Sequence, residues 1–200
     1  MAMEVNYKKN KTAIFHKNFM EMEGREIYYD DIEAVRYSLD DMGGLAWFLP
    51  VARWVDGRVH LFVKNEKKPV TVSLMGIHFL GIPIVPTPQR AMDGFERLYE
   101  AIDSIVTPKI AQRYLEQIHA GQEVELAGLL INRWSAVNKK RDKVISKENY
   151  GGLQRRFNHV TVLDKYSDPL WQTSIKDVFS NNVTALPHVL EELFSTTSPN

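Results

Sequence analysis

The sequence predicts an α+β protein, mainly β, made of two antiparallel β domains that are each closed by an amphipathic helix. Three observations predict it. Short strand signals separated by turn residues fill roughly the first ninety positions, and no long helical period intervenes, which argues against parallel βαβ units. A helical apolar period follows at 88–120. After Gly121 the same order, strands and then a helix, occurs a second time.

In the first domain, assigned to residues 1–120, strands are expected at 12–16, 18–22, 26–29 and 32–39. A Gly43-Gly44 break precedes an aromatic strand at 45–55. Asp56-Gly57 is the strongest hairpin signal in the chain, because a type I′ turn needs positive φ at both centres. Strands at 59–64 and 70–74 are expected beyond it. Thr87-Pro88 then reads as a helix start, with an N-cap hydroxyl and proline at the first helical position. Phe95, Leu98, Tyr99, Ile102, Ile105 and Val106 form one apolar stripe. Thr107-Pro108 repeats the start signal, so the segment 88–120 is one kinked helix or two consecutive ones, ending at Gly121.

In the second, smaller domain, residues 121–200, strands are expected at 123–127, 129–137, 143–147, 160–163 and 171–175. Val183, Leu186, Val189, Leu190, Leu193 and Phe194 form a terminal stripe, giving a C-terminal helix at about 183–195. Thr184 or the Asn181-Asn182 pair is expected to cap it, with Pro187 in the first turn.

Composition excludes several function classes. The chain has 200 residues, with 44% apolar and 25% charged types, so disorder and fibrous repeats are excluded. Lys plus Arg equals Asp plus Glu at 25 each, so no global charge argues for nucleic acid, and none is expected as a partner. The absence of cysteine excludes a disulfide scaffold and thiol catalysis, and it is compatible with a reducing compartment. The lysines of 1–12 are not followed by an apolar h-region, so a cytoplasmic location is expected. The uncharged run 70–85 would be a helix of only about 24 Å, short of the roughly 30 Å bilayer core, and is read as strand plus turn.

Two stretches carry a family resemblance. Residues 24–35, Gly-Arg-Glu-Ile-Tyr-Tyr-Asp-Asp-Ile-Glu-Ala-Val, resemble the strand pair of bacterial pleckstrin-homology-like (PH-like) domains, and Gly121 to Ile131 opens similarly. The ending, Trp171-Gln172-Thr173 through Asp177-Val178, Asn181-Asn182, Ala185-Leu186-Pro187 and Leu190, resembles that of proteins with such a domain. The resemblance implies two PH-like bent antiparallel barrels in tandem, in each of which a helix plugs one open end. It implies no catalytic motif.

The residues themselves agree with that. The histidines at 16, 60, 78, 119, 159 and 188 include no metal-binding spacing, so no metal or other cofactor is expected. Gly76 to Gly81 has phosphate-loop glycine spacing, but Ile82-Pro83 stand where Lys and Ser or Thr are required. Carboxylate pairs at Asp30-Asp31, Asp40-Asp41 and Glu191-Glu192 are adjacent in sequence, and neighbours on a strand face opposite sides. Trp47, Phe48, Trp54, Phe62 and Phe79 are expected mainly in the core, and an exposed subset would mark an interface.

Charge is clustered despite the zero net value. Residues 21–41 carry eight acids against Arg25 and Arg36. Residues 133–156 carry eight bases, Arg133, Lys139, Lys140, Arg141, Lys143, Lys147, Arg155 and Arg156, against Asp142 and Glu148. By the resemblance, such a basic span is an anion or partner site, with Trp134 and Tyr150 flanking it. The expected function is therefore non-catalytic: a protein-binding or self-association module that forms oligomers. Recruitment to anionic lipid headgroups through 133–156 is the alternative, and an enzyme with an unrecognised site is the third reading.

Overall fold

The computed structural model describes residues 2–46, 49–80, 82–83, 86–138, 143–156, 159–175 and 181–195. They form antiparallel sheets and helices, and the chain divides into two compact units, Met1–Val106 and Thr107–Asn200. The division falls ahead of Gly121, between two helices.

Unit 1 begins with a meander in the order β1-β2-β3-β4: β1 (Met3–Lys8), β2 (Lys11–Phe15), β3 (Phe19–Met22) and β4 (Arg25–Tyr28). β1 is an addition to the expected strands. Its alternation buries Val5 and Tyr7 and exposes Glu4, Asn6 and Lys8, a short amphipathic pattern hidden among lysines. A 3-10 turn at Tyr29–Asp31 leads to the second sheet, in the order β5-β6-β7-β8. Its strands are β5 (Ile32–Ala46), β6 (Leu49–Val63), β7 (Val70–Phe79) and β8 (Ile82–Pro83).

Here the structure corrects the sequence reading. Asp56-Gly57 is not a hairpin turn but the middle of β6, with Asp56 opposite Asp40 and Met75, and Gly57 opposite Leu39 and Leu74. Gly43-Gly44 is not a break but lies inside β5. Glycine serves a different purpose at position 57. The helix α1 (Pro88–Ile105) packs on β1, β6 and β7, and Phe95 comes so close to Gly57 that any side chain there would meet its ring. The start of α1 is as expected: Pro88 opens it, and the Thr87 hydroxyl accepts from the Arg90 amide at 3.4 Å. Ala91, Phe95, Leu98, Ala101 and Ile102 are buried along its inner face. Tyr37 and Tyr99 meet edge to face with ring centroids 4.7 Å apart.

Unit 2 opens with α2 (Thr107–His119), so the segment 88–120 contains two helices. Pro108 explains the break, since it has no N–H for the preceding turn. A sheet in the order β12-β11-β10-β9 follows: β9 (Val124–Leu126), β10 (Leu129–Ile131), β11 (Ser135–Asn138) and β12 (Val144–Ser146). The strand expected at 129–137 is thus two strands. Asn132 splits it, its side-chain oxygen accepting from the Trp134 and Ser135 amides. A second sheet holds β13 (Tyr150–Arg156), β14 (His159–Asp164) and β15 (Pro169–Ser174) in that order. β13 was not among the expected strands.

The terminal helix α3 (Leu186–Phe194) packs on α2 and β13, and Leu186, Val189, Leu190 and Phe194 are buried while Leu193 is half-buried. Neither Thr184 nor Asn181-Asn182 caps it. The N-cap is Ala185, with no side-chain bond, because a 3-10 turn at Val183–Ala185 precedes the helix. Thr184 instead shares a hydrogen bond with Thr107 (3.1 Å), and Asn182 donates to the Tyr114 hydroxyl (3.1 Å). Among the described residues, no helix is long and apolar enough to cross a membrane.

Candidate functional site

The second sheet of unit 1 builds the most distinctive surface. Residues paired across antiparallel strands share a face, so the register sorts the side chains. One face carries Val59 opposite Val72, Gly57 opposite Leu74 and Val55 opposite Gly76, all buried. The other face is outward and changes character along its length. At one end it is polar: His60 lies between Arg36 and Thr71, and Arg58 between Ser38 and Ser73. Arg36 stands over the Phe62 ring at 5.1 Å, and the His60 imidazole meets the Thr71 hydroxyl at 2.9 Å. Asp40 and Asp56 form the next row, with Asp56 paired to Arg58.

Beyond that row the outward face is apolar. Trp54 lies between Met42 and Ile77, and Phe79 between Ala52 and Ile82. Trp54 is 44% exposed, Phe79 49% and Ile82 66%, and Met42, Met75 and Leu80 are exposed beside them. Of the aromatic cluster, Trp54 and Phe79 are thus an exposed subset outside the core. Both lie on the outward face, opposite the one on which α1 packs through Gly57 and Phe95. Phe62 is half-buried, and Trp47 and Phe48 lie outside the described residues. Arg53, on the reverse side of this end, holds Asp41 through two bonds of 3.0 and 2.8 Å. Asp40 and Asp41 therefore point to opposite faces.

The basic span of unit 2 is spread over several strand ends. Arg133 lies in the turn between β10 and β11, its guanidinium 5.0 Å from the ring centre of Trp134, which is 73% exposed. Lys147 is in the turn after β12, and the pairing of Ser135 with Ser146 puts it at the same end of that sheet. Lys143 is at the other end, where its amide donates to Asn138. Arg155 and Arg156 stand at the far end of β13, opposite Val160 and His159. Lys139, Lys140 and Arg141 lie outside the described residues. The structure thus brings Arg133 and Lys147 to one end and holds Lys143 away from them.

Titratable groups elsewhere serve local structure. His16 stacks on Phe19 and bonds Glu21 at 2.8 Å, and the Tyr7 hydroxyl donates to Glu23 at 2.9 Å. Lys11 also bonds Glu23, and this contact first, then that of Tyr7, holds the carboxyl below its ordinary range despite some burial. Tyr150 lines a polar cavity of about 620 Å³ with His188, Glu191 and Glu192. Burial, reinforced by the Glu191 charge, raises its phenol, which stays protonated. Among the described residues, no group of three or more His, Asp or Glu side chains is placed to hold a metal ion.

Comparison with family models, with curated proteins and with solved structures returns no match.

Sequence reasoning named Trp54 and Phe79 but passed over Met42, Met75, Ile77 and Ile82. The signal that finds them is alternation: read with period two through Gly43-Gly44 and Asp56-Gly57, each lies on the outward face.

Proposed function

We propose that the chain is a non-catalytic binding module that associates with a second copy of itself through the outward apolar face of β5, β6, β7 and β8. The observation that carries this is the alignment of Met42, Trp54 and Ile77 in one row, with Phe79 and Ile82 in the next. Met42, Trp54, Met75, Phe79, Leu80 and Ile82 together expose on the order of 600 Å², the upper limit of what a monomer's surface carries. A two-fold axis sets the same patch against itself and doubles the buried area to roughly 1,200 Å², the lower bound of a specific interface. The acids and arginines of the neighbouring rows form its polar rim.

We also propose PH-like folds for the two units. The support is that each holds antiparallel meanders followed by an amphipathic helix, β1–β8 with α1 and β9–β15 with α3.

The experiment is sedimentation of the full chain and of a Trp54→Ser/Phe79→Ser variant. The parent should associate in the micromolar range and the variant should remain monomeric. A parent that is monomeric at high micromolar concentration, or a variant that associates equally, overturns the reading.

The Arg133–Trp134 pair favours a second reading, recruitment to anionic lipid headgroups. An exposed indole beside a guanidinium suits a bilayer interface, where each nearby cation contributes about 1 kcal/mol. Vesicle sedimentation of an Arg133→Glu/Trp134→Ser variant tests it. Equal binding by parent and variant removes this reading.

A further inference from the structure

A second feature of unit 1 is a cavity of about 310 Å³ between the end of β1, β7 and the first turn of α1. It is lined by Tyr7, Lys8 and Lys9 on one side, Leu74 and Met75 on another, and Pro86, Arg90 and Ala91 on the third. The topology explains the opening. β1 and β7 belong to different sheets, and the partner strand β8 pairs with β7 only at His78 and Phe79. Among the described residues, Leu74 and Met75 thus have no neighbouring strand on that side. Gly94 sets the width: a Cβ there would stand 2.1 Å from the Tyr7 carbonyl oxygen, so only glycine lets helix and strand approach this closely.

The chemistry of the lining is one-sided. Its floor is apolar, with Leu74, Ala91 and Tyr7 buried. The charged groups that line it are all cations, Lys8, Lys9 and Arg90, and none of them takes part in an ion pair among the described residues. Glu23, the carboxylate that senses Lys8, is already engaged by Lys11 and Tyr7. The first turn of α1 adds the positive end of a helix dipole.

We infer that this cavity binds a single-chain amphiphilic anion, with the carboxylate or phosphate head on Lys8, Lys9 and Arg90 and the apolar chain on Leu74, Ala91 and Pro86. A bare anion leaves the apolar floor wet, and a neutral alkane leaves three cations without a partner. The volume is at the lower end of ligand cavities, which suits a medium acyl chain.

Calorimetry on the full chain tests it, with decanoate below its micelle concentration as the probe. Hexanoate, decanol and inorganic phosphate are the comparisons. Decanoate should bind in the micromolar to low millimolar range, and each methylene removed should weaken binding by up to about four-fold. A Lys8→Gln/Lys9→Gln/Arg90→Gln variant, whose substitutions are all at exposed side chains, should keep its unfolding midpoint and bind decanoate at least ten-fold more weakly. Its affinity for decanol should be unchanged. Raising the salt should weaken decanoate binding to the parent. Absence of decanoate binding overturns the proposal, as do equal binding by the variant and phosphate binding as tight as that of decanoate. Binding to anionic phosphatidylglycerol vesicles without binding to monomeric decanoate also overturns it, and assigns the three cations to a membrane surface instead.

Discussion

Gly57 of β6 lies against the ring of Phe95 of α1: a methyl group at position 57 would stand 2.8 Å from Phe95 Cδ2. This contact, not a turn, accounts for the glycine. Alanine usually stabilises a strand interior relative to glycine. Here Gly57→Ala should destabilise by about 1–3 kcal/mol through overpacking. Urea unfolding measures it, and pairing the change with Phe95→Leu should recover part of the loss.

Asn182 has a left-handed backbone (φ 56°) and is 3% exposed, with its amide on the Tyr114 hydroxyl. Asn182→Ala loses that bond and places a Cβ in a disfavoured region, at a cost of about 1–3 kcal/mol. Asn182→Gly loses the bond but tolerates the φ, so it should cost less. The order of the two unfolding midpoints checks this.

Leu190 is fully buried on α3, whereas Glu192 is exposed. Leu190→Ala should cost about 2–5 kcal/mol as a cavity, and Glu192→Ala should stay within about 0.5 kcal/mol. Equal effects of the two in denaturant titration would remove α3 from the core of unit 2.

Burial, and after it the charges of Arg36 and Arg58, hold the His60 imidazole below its ordinary pKa of 6.5. The folded chain keeps it neutral where the unfolded chain takes up a proton. Stability should therefore be full above pH 6.5 and fall as the pH drops through the ordinary histidine range. Unfolding midpoints measured from about pH 8 to pH 5 should show this slope, and His60→Gln should flatten it.

Legibility in the sequence followed how many physical demands a residue meets. Thr87 and Pro88 serve one purpose, starting a helix, and their signal was plain. Phe95, Leu98 and Ile102 likewise follow one period and sit on one buried face. Gly57 looked like a turn because tight turning and close helix packing both ask for the absence of a Cβ, and only the position of Phe95 tells them apart. The strand signal at 59–64 falls on β6, but that at 45–55 runs across the end of β5 and the start of β6. Joining the parts correctly needs the register of β6 with β5 and β7. The exposure of Trp54 was illegible for a related reason. An indole in an alternating strand reads the same whether or not another layer covers it. The cations of the cavity were missed because Lys8 and Arg90 are far apart in sequence and adjoin through β1 and α1 alone.

The continuity of β6 through Asp56 and Gly57 also bears on how this protein can change over generations. The same ladder that seats Val59 and Val55 in the core presents Trp54 and Arg58 outward. An insertion or deletion of one residue between them would invert every side chain beyond it, so that Trp54 would turn to the helix side and Arg53 outward. Point substitutions on the outward surface leave this register intact, but single-residue indels within 52–60 do not. Length variation should therefore accumulate at the charged turn 64–69, where β6 and β7 have already parted.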